Sequence, residues 1–441
     1  MYPILFRIPL GSSGSLPIYA YGVMLGLSFV VGWYLTLALA EREGLPKDTM
    51  ANCYVVTALS AVVFARLLYV VTNLHEFQSF GDVFNLRTGG MVAYGGFLGG
   101  FIGSAGYLAW KKLPLIPWAD VAVPSLASGL LITRIGCYLY GCDFGRPLGE
   151  NAPSLLKKLG SFPRWPEGTL PEGAGSPAWA QHVRERGLSI EANYSLPVHP
   201  TQLYESLLGL SLLVALLVMR KHQRFRGQIF LSFTLMYGAA RFCLELIRDD
   251  LERGNIPPAL APHVLIPICL ALFALAYSIG VAPALENKSV RLGSQVASFI
   301  PAVIAFFELR PAAFEAVVPM QLSTSQFIGV TTGVAAAVAF SLLYKAALAN
   351  PKAAMALPDF GAVMDQRIEE EEDDGPKPKP KPKKAEPAKA AVADGALDEP
   401  TETSEPPAPR PAPAAANQKN LPTSGGAKRK NKLAKKPERG G

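Results

Sequence analysis

Charged residues are scarce in this chain. Asp, Glu, Lys and Arg make up 17% of its 441 residues, whereas 50% are hydrophobic and the mean hydropathy is +0.22. The segment from Asn350 onward is almost wholly polar, so the preceding residues are more apolar than this average. Such a composition excludes an ordinary soluble domain and predicts a membrane protein.

Cysteine is also scarce, with five residues: Cys53, Cys137, Cys142, Cys243 and Cys269. Three of them lie within apolar runs, so they do not form the disulfide framework of a small secreted domain. Cys137 and Cys142 lack zinc-finger spacing, and no nearby His completes a metal site, so we expect no metal. Two alternatives remain open for this pair: a disulfide across the end of a helix, or two buried, inert thiols.

The two ends of the chain differ in character. The start, MYPILFRIPLGSSGSLP, lacks the charged region and cleavage site of a signal peptide, so we expect the first span to stay attached. From residue 350 to 441, runs such as EEEEDDGPKPKPKPKK cannot bury enough apolar surface to fold, which predicts a disordered tail. The net charge of +7 comes largely from this tail and short loops. It favours an anionic membrane surface over nucleic acid, although a merely solvated tail explains it as well.

The hydropathy pattern predicts an all-α polytopic membrane protein. With about 20 apolar residues needed per crossing, we expect spans near 18–40, 50–72, 91–110, 121–141, 203–219, 228–247, 263–282 and 327–348. A further segment, 297–318, is interrupted by Glu308, Arg310 and Pro311. We divide the chain into a core of six spans over 1–254, an inserted hydrophobic segment over 255–321, a last core span over 322–349 and the tail.

Three short basic loops agree on an orientation. EREGLPK after the first span, Lys111 and Lys112 after the third, and RKHQRFR after the fifth alternate as cytoplasmic loops should. The N-terminus and the loop 143–200 are then outside, and the tail is inside. This arrangement requires an odd number of crossings, seven or nine, and we favour nine.

Several polar residues then lie at one depth, in the outer half of the membrane. Four come late in outward-running spans and three early in inward-running spans: Arg66, Arg134, Arg241, Glu245, Tyr21, Tyr94 and Glu205. An ionised side chain near the bilayer centre costs roughly 2.5–3.5 kcal/mol. Several cations with few anions predict an anionic ligand, most simply a phospholipid phosphate. The alternative is a set of ion pairs that hold helices together, such as Arg241 with Glu245 one turn away.

Two further motifs lie near the outer ends of the fourth and fifth spans, close to these polar residues. In GCYLYGCDFG, Gly145 follows the exit of the fourth span, where loop backbone can approach a ligand. HPTQLYES opens the fifth span and brings His199, Gln202 and Glu205 to the level of the arginines. The alternative for this motif is a helix start with an interfacial anchor.

Taken in order, the motifs YAYGVM, ARLLYV, GGMVAYGGFLGG, RIGCYLYGCDFG, HPTQLYES and YGAARFCLELIRDDLERG resemble the prolipoprotein diacylglyceryl transferase family. The resemblance covers about residues 15–254 and resumes at LSTSQFIGVTTG. It implies a seven-span core in a bacterial inner membrane, with the site facing the periplasm. It also implies a reaction without a cofactor: the diacylglyceryl group of phosphatidylglycerol moves to the thiol of a lipobox cysteine in a preprolipoprotein signal peptide, and glycerol phosphate leaves. Surrounding membrane lipids are the other expected partners.

The resemblance assigns roles by position. Arg134 and Arg241 match the family's essential arginines, and Tyr21 and Glu245 its functional tyrosine and glutamate. With these we expect Arg66, Gly145, His199, Gln202 and Glu205 to bind substrate.

The chain departs from the family pattern at three positions. Tyr94 stands where a catalytic His is expected, and Cys137 and Cys142 replace Asn and Glu. Tyr, with a pKa near 10, is a poor general base unless cations assist it. Either Tyr94 acts as a cation-activated base or hydrogen-bond donor, or the positive field of the site deprotonates the substrate thiol. A non-catalytic phospholipid-binding protein derived from the family is the alternative function.

Overall fold

A computed structural model of the chain describes residues 1–9, 15–77, 79–84, 90–169, 174–249, 254–309 and 318–357. Twelve α-helices lie within these residues: α1 Ala20–Arg42, α2 Lys47–Thr72, α3 Ala93–Trp110, α4 Leu115–Tyr140, α5 Ser154–Leu159, α6 Pro177–Glu185, α7 Thr201–Arg220, α8 Gln228–Glu245, α9 Pro262–Ala276, α10 Lys288–Glu308, α11 Thr324–Ala349 and α12 Pro351–Met355. The all-α polytopic fold class is confirmed.

Seven of these helices are long and apolar enough to cross a membrane: α1, α2, α4, α7, α9 with the turn that follows it, α10 and α11. The chain is therefore a multi-pass membrane protein. Two other predicted spans, α3 and α8, are helices of 18 residues each. Neither is among the seven: α3 is rich in glycine, and α8 carries Arg241 and Glu245. The choice between seven and nine crossings stays a prediction.

The segment predicted over 297–318 differs from the structure. α10 starts at Lys288, well before the predicted start, because Asn287 caps it by accepting hydrogen bonds from the N–H groups of Ser289 and Val290. Residues 310–317, with two of the three interrupting residues, lie outside the described residues. The predicted tail starts a few residues too early, since α12 occupies 351–355, and 358–441 also lie outside the described part of the chain.

Two short antiparallel strand pairs were not predicted. Strands β1 Ile4–Pro9 and β2 Ser15–Tyr19 pair ahead of α1. Strands β3 Ile256–Leu260 and β4 Met320–Leu322 pair at the two ends of the inserted segment, with Ile256 opposite Leu322. The first and last residues of the inserted segment therefore lie next to each other. The helices α9 and α10 lie between them in the chain, after α8 and before α11.

Glycines set the closest approaches between core helices. A Cβ on Gly136 in α4 would lie 3.1 Å from the Cα of Tyr21 in α1. A Cβ on Gly238 in α8 would lie 2.6 Å from the carbonyl oxygen of Gly329 in α11. Close backbone approach through small residues is a common way for membrane helices to associate. These contacts bring α1 against α4 and α11 against α8.

A buried carboxylate fixes the start of α8. Asp120 of α4 is fully buried and accepts hydrogen bonds from the N–H groups of Gly227, at 2.6 Å, and Phe230, at 2.9 Å. Nearby, Arg220 and Arg226 both pair with Glu43 from the loop after α1. The basic loops expected on the cytoplasmic side are thus also structural, because they tie α1, α4 and α7 to the start of α8.

The predicted outer loop 143–200 is a folded element. It contains α5 and α6, and Phe144, Phe162, Ala178 and Val198 form a small hydrophobic core within it. Ser176 caps α6 by accepting a hydrogen bond from the N–H of Trp179. Both ends of this element adjoin the polar residues of the bundle, since it begins after α4 and ends at α7.

Gly238→Ala should destabilise the bundle. The added methyl would contact the backbone of α11 rather than a side chain that can turn away, and overpacking of this kind costs about 1–3 kcal/mol. Thermal unfolding of the detergent-solubilised protein measures the effect. Gly106→Ala in α3 is the matched control, because nothing lies within 4 Å of its added Cβ. Equal melting temperatures for the two variants would contradict the assigned α8–α11 contact.

Candidate active site

Glu205, in the second turn of α7, is the centre of a buried ion-pair network. Its side chain is only 3% exposed. One oxygen, Oε2, pairs with Arg134 Nε from α4. The other, Oε1, lies 2.6 Å from Arg241 Nη1 of α8 and 3.9 Å from Arg248 Nη1. A single carboxylate therefore joins three guanidinium groups from three parts of the chain.

Asp143 provides the second junction. Gly141 ends α4 with a φ of 83°, and Asp143 itself has a φ of 57°, so the chain turns sharply beyond the helix. The Asp143 carboxylate lies 2.6 Å from Arg134 Nη1 and pairs with Arg248. Burial alone would raise the pKa of Asp143, but the charges of Arg134 and Arg248 lower it below its ordinary value. Asp143 is thus ionised at neutral pH and acts as a fixed anion.

The described network is balanced in charge. Glu245 Oε2 lies 2.8 Å from Arg241 Nη2, which adds a third carboxylate. Three guanidinium groups, from Arg134, Arg241 and Arg248, therefore meet three carboxylates. The expectation of several cations with few anions was wrong here. These residues form the ion pairs of the second predicted alternative, which hold α4, α7 and α8 together, and binding of an anionic ligand stays a prediction.

Two nitrogen atoms of the arginines in this network have no partner among the described residues. Arg134 Nη2 and Arg241 Nε donate to no group in the part of the chain that the structure describes. Their side chains are 18% and 13% exposed, so a ligand can reach them. An anion bound there would receive charge-assisted hydrogen bonds from guanidinium groups that are already held in place.

Tyr94 joins the network through α11. Its hydroxyl donates a hydrogen bond to Ser325 Oγ at 2.7 Å, and Arg241 Nη2 lies 3.4 Å from the same oxygen. Ser323 and Gln326 form a capping box that fixes the start of α11, and the Gln326 side chain reaches the carbonyl of Phe242 in α8. Residues from α3, α4, α7, α8 and α11 therefore converge on one site.

Comparison with known proteins gives the family of this chain. A model of the family described as prolipoprotein diacylglyceryl transferase matches residues 4–282, which is more than half of the chain. The chain belongs to this family. Similar proteins include the phosphatidylglycerol–prolipoprotein diacylglyceryl transferases of Bacillus cereus, Bacillus thuringiensis and Bacillus anthracis, which are 31%, 30% and 29% identical to it over 240 residues. The aligned residues cover 54% of this chain and 79% of each relative.

The match to the transferase family ends before α11. Residue 282 follows α9, within the inserted segment, whereas Ser325 and the α8 contact belong to α11. α11 contributes Ser325 to the site, and its assignment as the last core span stays a prediction. In the described residues, α9 and α10 contribute no group to the ion-pair network.

Tyr21 lies beside the network, as predicted. The close approach at Gly136 places the first turn of α1 against α4. The Tyr21 hydroxyl is within electrostatic range of Arg134 and Asp143. The side chain is 37% exposed, so it borders the open side of the site. A role in binding substrate stays a prediction.

Three residues predicted to bind substrate hold the loop after α4. Gly145 donates its N–H to the carbonyl of His199 at 2.9 Å, and a Cβ on Gly145 would lie 2.8 Å from the Cβ of His199. Gln202 donates a side-chain hydrogen bond to the carbonyl of Cys142. His199 Nδ1 lies 3.3 Å from the hydroxyl of Tyr204. These contacts position Asp143, and direct binding of substrate by these residues stays a prediction.

The structure places Arg66 apart from the other arginines. Its guanidinium donates hydrogen bonds of 2.9 Å to the carbonyl oxygens of Asp82, Val83 and Gly90, and it packs over the Tyr69 and Phe77 rings. None of these described contacts joins Arg66 to Arg134 or Arg241, and its role in binding substrate stays a prediction. The described contacts of Arg66 hold residues of the segment between α2 and α3.

The thiols of Cys137 and Cys142 lie beside Arg134. Both are free cysteines, and their sulfur atoms lie with an Asp143 oxygen within 4.8 Å of one another. These groups could ligate a metal, but Arg134 Nη1 already lies 3.8 Å from Cys137 Sγ and 2.6 Å from that carboxylate. The hydrogen bond with Cys137, together with burial, raises the pKa of the Cys142 thiol. Cys142 is thus protonated and not a nucleophile.

Sequence reasoning missed Asp143, Arg248 and Ser325. Arg248 follows Arg241 by seven residues, a spacing that returns to the same helical face and could have indicated it. The S-x-x-Q capping signal at Ser323 marks the start of α11 and could have focused attention on Ser325. Asp143 carries no such signal, because its position depends on the turn at Gly141.

Glu205→Ala should destabilise the protein by about 3–5 kcal/mol, because it leaves buried guanidinium groups without their carboxylate. Glu41→Ala is the control: it removes an exposed pair with Lys47, which is worth about 0–1 kcal/mol. Denaturant unfolding in detergent micelles measures both. A Glu205→Ala protein with the stability of the control would show that Glu205 does not hold the network.

Proposed function

We propose that this chain transfers the diacylglyceryl group of phosphatidylglycerol to the thiol of a lipobox cysteine in preprolipoproteins, with release of glycerol phosphate, in lipoprotein maturation. The observation that carries the proposal is the pair Arg134 and Arg241, held on one buried carboxylate in a chain of this family. The names of the relatives state the same donor and acceptor.

The arrangement suits a phosphodiester headgroup. Arg134 Nη2 and Arg241 Nε are open donors on guanidinium groups whose other nitrogens are engaged by Asp143, Glu205 and Glu245. The positive and negative charges of the described network are equal in number. A bound phosphodiester would add one negative charge next to the two open donors. Prior orientation of both guanidinium groups reduces the entropy lost on binding.

Transfer breaks the bond between the glyceryl carbon and the phosphate oxygen and forms a carbon–sulfur bond. Negative charge develops on the leaving phosphate, and fixed guanidinium groups stabilise it most strongly at the transition state. Glu245 keeps Arg241 oriented from one turn away in α8. Tyr21, at the open side, donates a hydrogen bond to the headgroup.

Activation of the acceptor thiol falls to Tyr94 rather than to the field of the site. Deprotonation by a positive field requires an excess of cations, and the described cluster pairs each guanidinium with a carboxylate. Tyr94 is half-buried, with its hydroxyl hydrogen-bonded at the edge of the cluster. It therefore adjoins the phosphate site from the α3 side.

The basic loops and the family support a location in the bacterial inner membrane. The outer element 143–200 and the site would face the periplasm, where lipobox cysteines are presented, and the tail would be cytoplasmic. Preprolipoprotein signal peptides and membrane lipids would reach the site laterally, along exposed apolar surfaces of the core helices such as Leu59 and Val63 of α2.

Purified protein mixed with phosphatidylglycerol and a lipobox peptide should yield a thioether-linked diacylglyceryl peptide, detected by mass spectrometry. Arg241→Ala should lower the initial rate by about 10²–10³-fold, because a fixed donor to the leaving phosphate is lost. Arg184→Ala, on the exposed face of α6, should leave the rate unchanged. Lipid binding without any product from the wild-type protein would instead indicate a non-catalytic lipid-binding protein.

A further inference from the structure

The hydrogen bonds around Ser325 determine the direction of its own proton. The Ser325 oxygen accepts from the Tyr94 hydroxyl at 2.7 Å and from Arg241 Nη2 at 3.4 Å. A serine oxygen has two lone pairs and one hydrogen. Both lone pairs are used, and the hydroxyl donates to no group among the described residues. Its hydrogen is therefore available to a ligand beside Arg241, where the phosphate is proposed to bind.

The same reasoning applies to Tyr94. Its hydrogen is given to Ser325, while its oxygen accepts from no donor in the described part of the chain. The side chain is half-buried, so part of it is accessible to a ligand. A thiol that reaches the hydroxyl oxygen would find an acceptor for its S–H.

We propose that Tyr94 and Ser325 form a proton relay that carries the proton of the acceptor thiol to the departing phosphate. This inference rests on the proposed transferase function. The sulfur attacks the glyceryl carbon, and the carbon–oxygen bond to phosphate breaks with its electron pair. The thiol proton passes to Tyr94, the Tyr94 proton to Ser325, and the Ser325 proton to a phosphate oxygen. No net charge remains on either hydroxyl.

The relay removes the difficulty of Tyr94 as a base. A tyrosine hydroxyl that still carries its proton is a very weak base, so it does not deprotonate a thiol by itself without cost. Formation of the carbon–sulfur bond makes the S–H strongly acidic, while the departing phosphate becomes more basic. A concerted shift through two hydroxyls connects these changes and avoids a free tyrosinate.

Contacts between α11 and α8 fix the position of Ser325 relative to Arg241. Ser325 lies inside the capping box of Ser323 and Gln326, and Gln326 binds the backbone of α8. The contact between Gly238 and Gly329 fixes α11 against the helix that carries Arg241. Since the family match ends at residue 282, the comparison assigns no role to Ser325.

The test measures kcat and KM for transfer between pH 6.5 and 9.5 with four variants. At pH 7, Ser325→Ala and Tyr94→Phe should each lower kcat by about 10²–10⁴-fold, the usual contribution of proton transfer. The double variant should be no slower than either single variant, because both break one chain. Ser325→Thr keeps the hydroxyl and should retain most of the activity. The control, Thr331→Ala, removes a hydroxyl that bonds only within α11.

The pH profile separates a relay from a structural role. Above the pKa of the thiol, about 8.5, the acceptor is already ionised, so the deficits of Ser325→Ala and Tyr94→Phe should shrink steadily towards pH 9.5. A deficit that is equal at every pH, additive losses in the double variant, or a Ser325→Ala kcat within twofold of wild type would overturn the relay. Absence of product from wild type would instead overturn the proposed function.

Discussion

The carboxylate of Glu205 is the constraint on which the rest of the site depends. It lies within an apolar bundle, where three guanidinium groups would repel one another and lack a counter-ion without an anion between them. By pairing with Arg134 and Arg241 it fixes α7 against α4 and α8. Asp143 and Glu245 complete the set, and the loop around Gly145 and His199 holds Asp143 in place.

This arrangement gives the arginines two roles at once. The nitrogens that face Glu205, Asp143 and Glu245 stabilise the fold, whereas Arg134 Nη2 and Arg241 Nε remain for a ligand. These guanidinium groups are already held in place before any ligand binds. Because the described network has little surplus positive charge, we proposed a separate path for the thiol proton, through Tyr94 and Ser325.

Much of the fold follows from hydropathy, because length and apolarity alone decide which segments span a bilayer. Orientation of the spans placed Tyr21, Tyr94, Arg134, Glu205 and Arg241 at one end, and the structure brings them together. Depth gives no information on direction around a helix axis, and the described contacts of Arg66 are with the segment after α2 instead of with Arg134 or Arg241. Asp143 depends on a left-handed turn, and Ser325 on the pairing of α11 with α8 across an insertion, neither of which a local pattern specifies.

The most direct measurement of the central claim is equilibrium binding of phosphatidylglycerol to the purified protein in detergent, at fixed ionic strength. If Arg134 and Arg241 hold the phosphate, Arg134→Gln and Arg241→Gln should each raise the dissociation constant about tenfold or more, as expected for loss of a charge-assisted hydrogen bond. Arg224→Gln, which removes an exposed pair with Glu286, should bind like wild type. Wild-type affinity in both site variants would contradict the account.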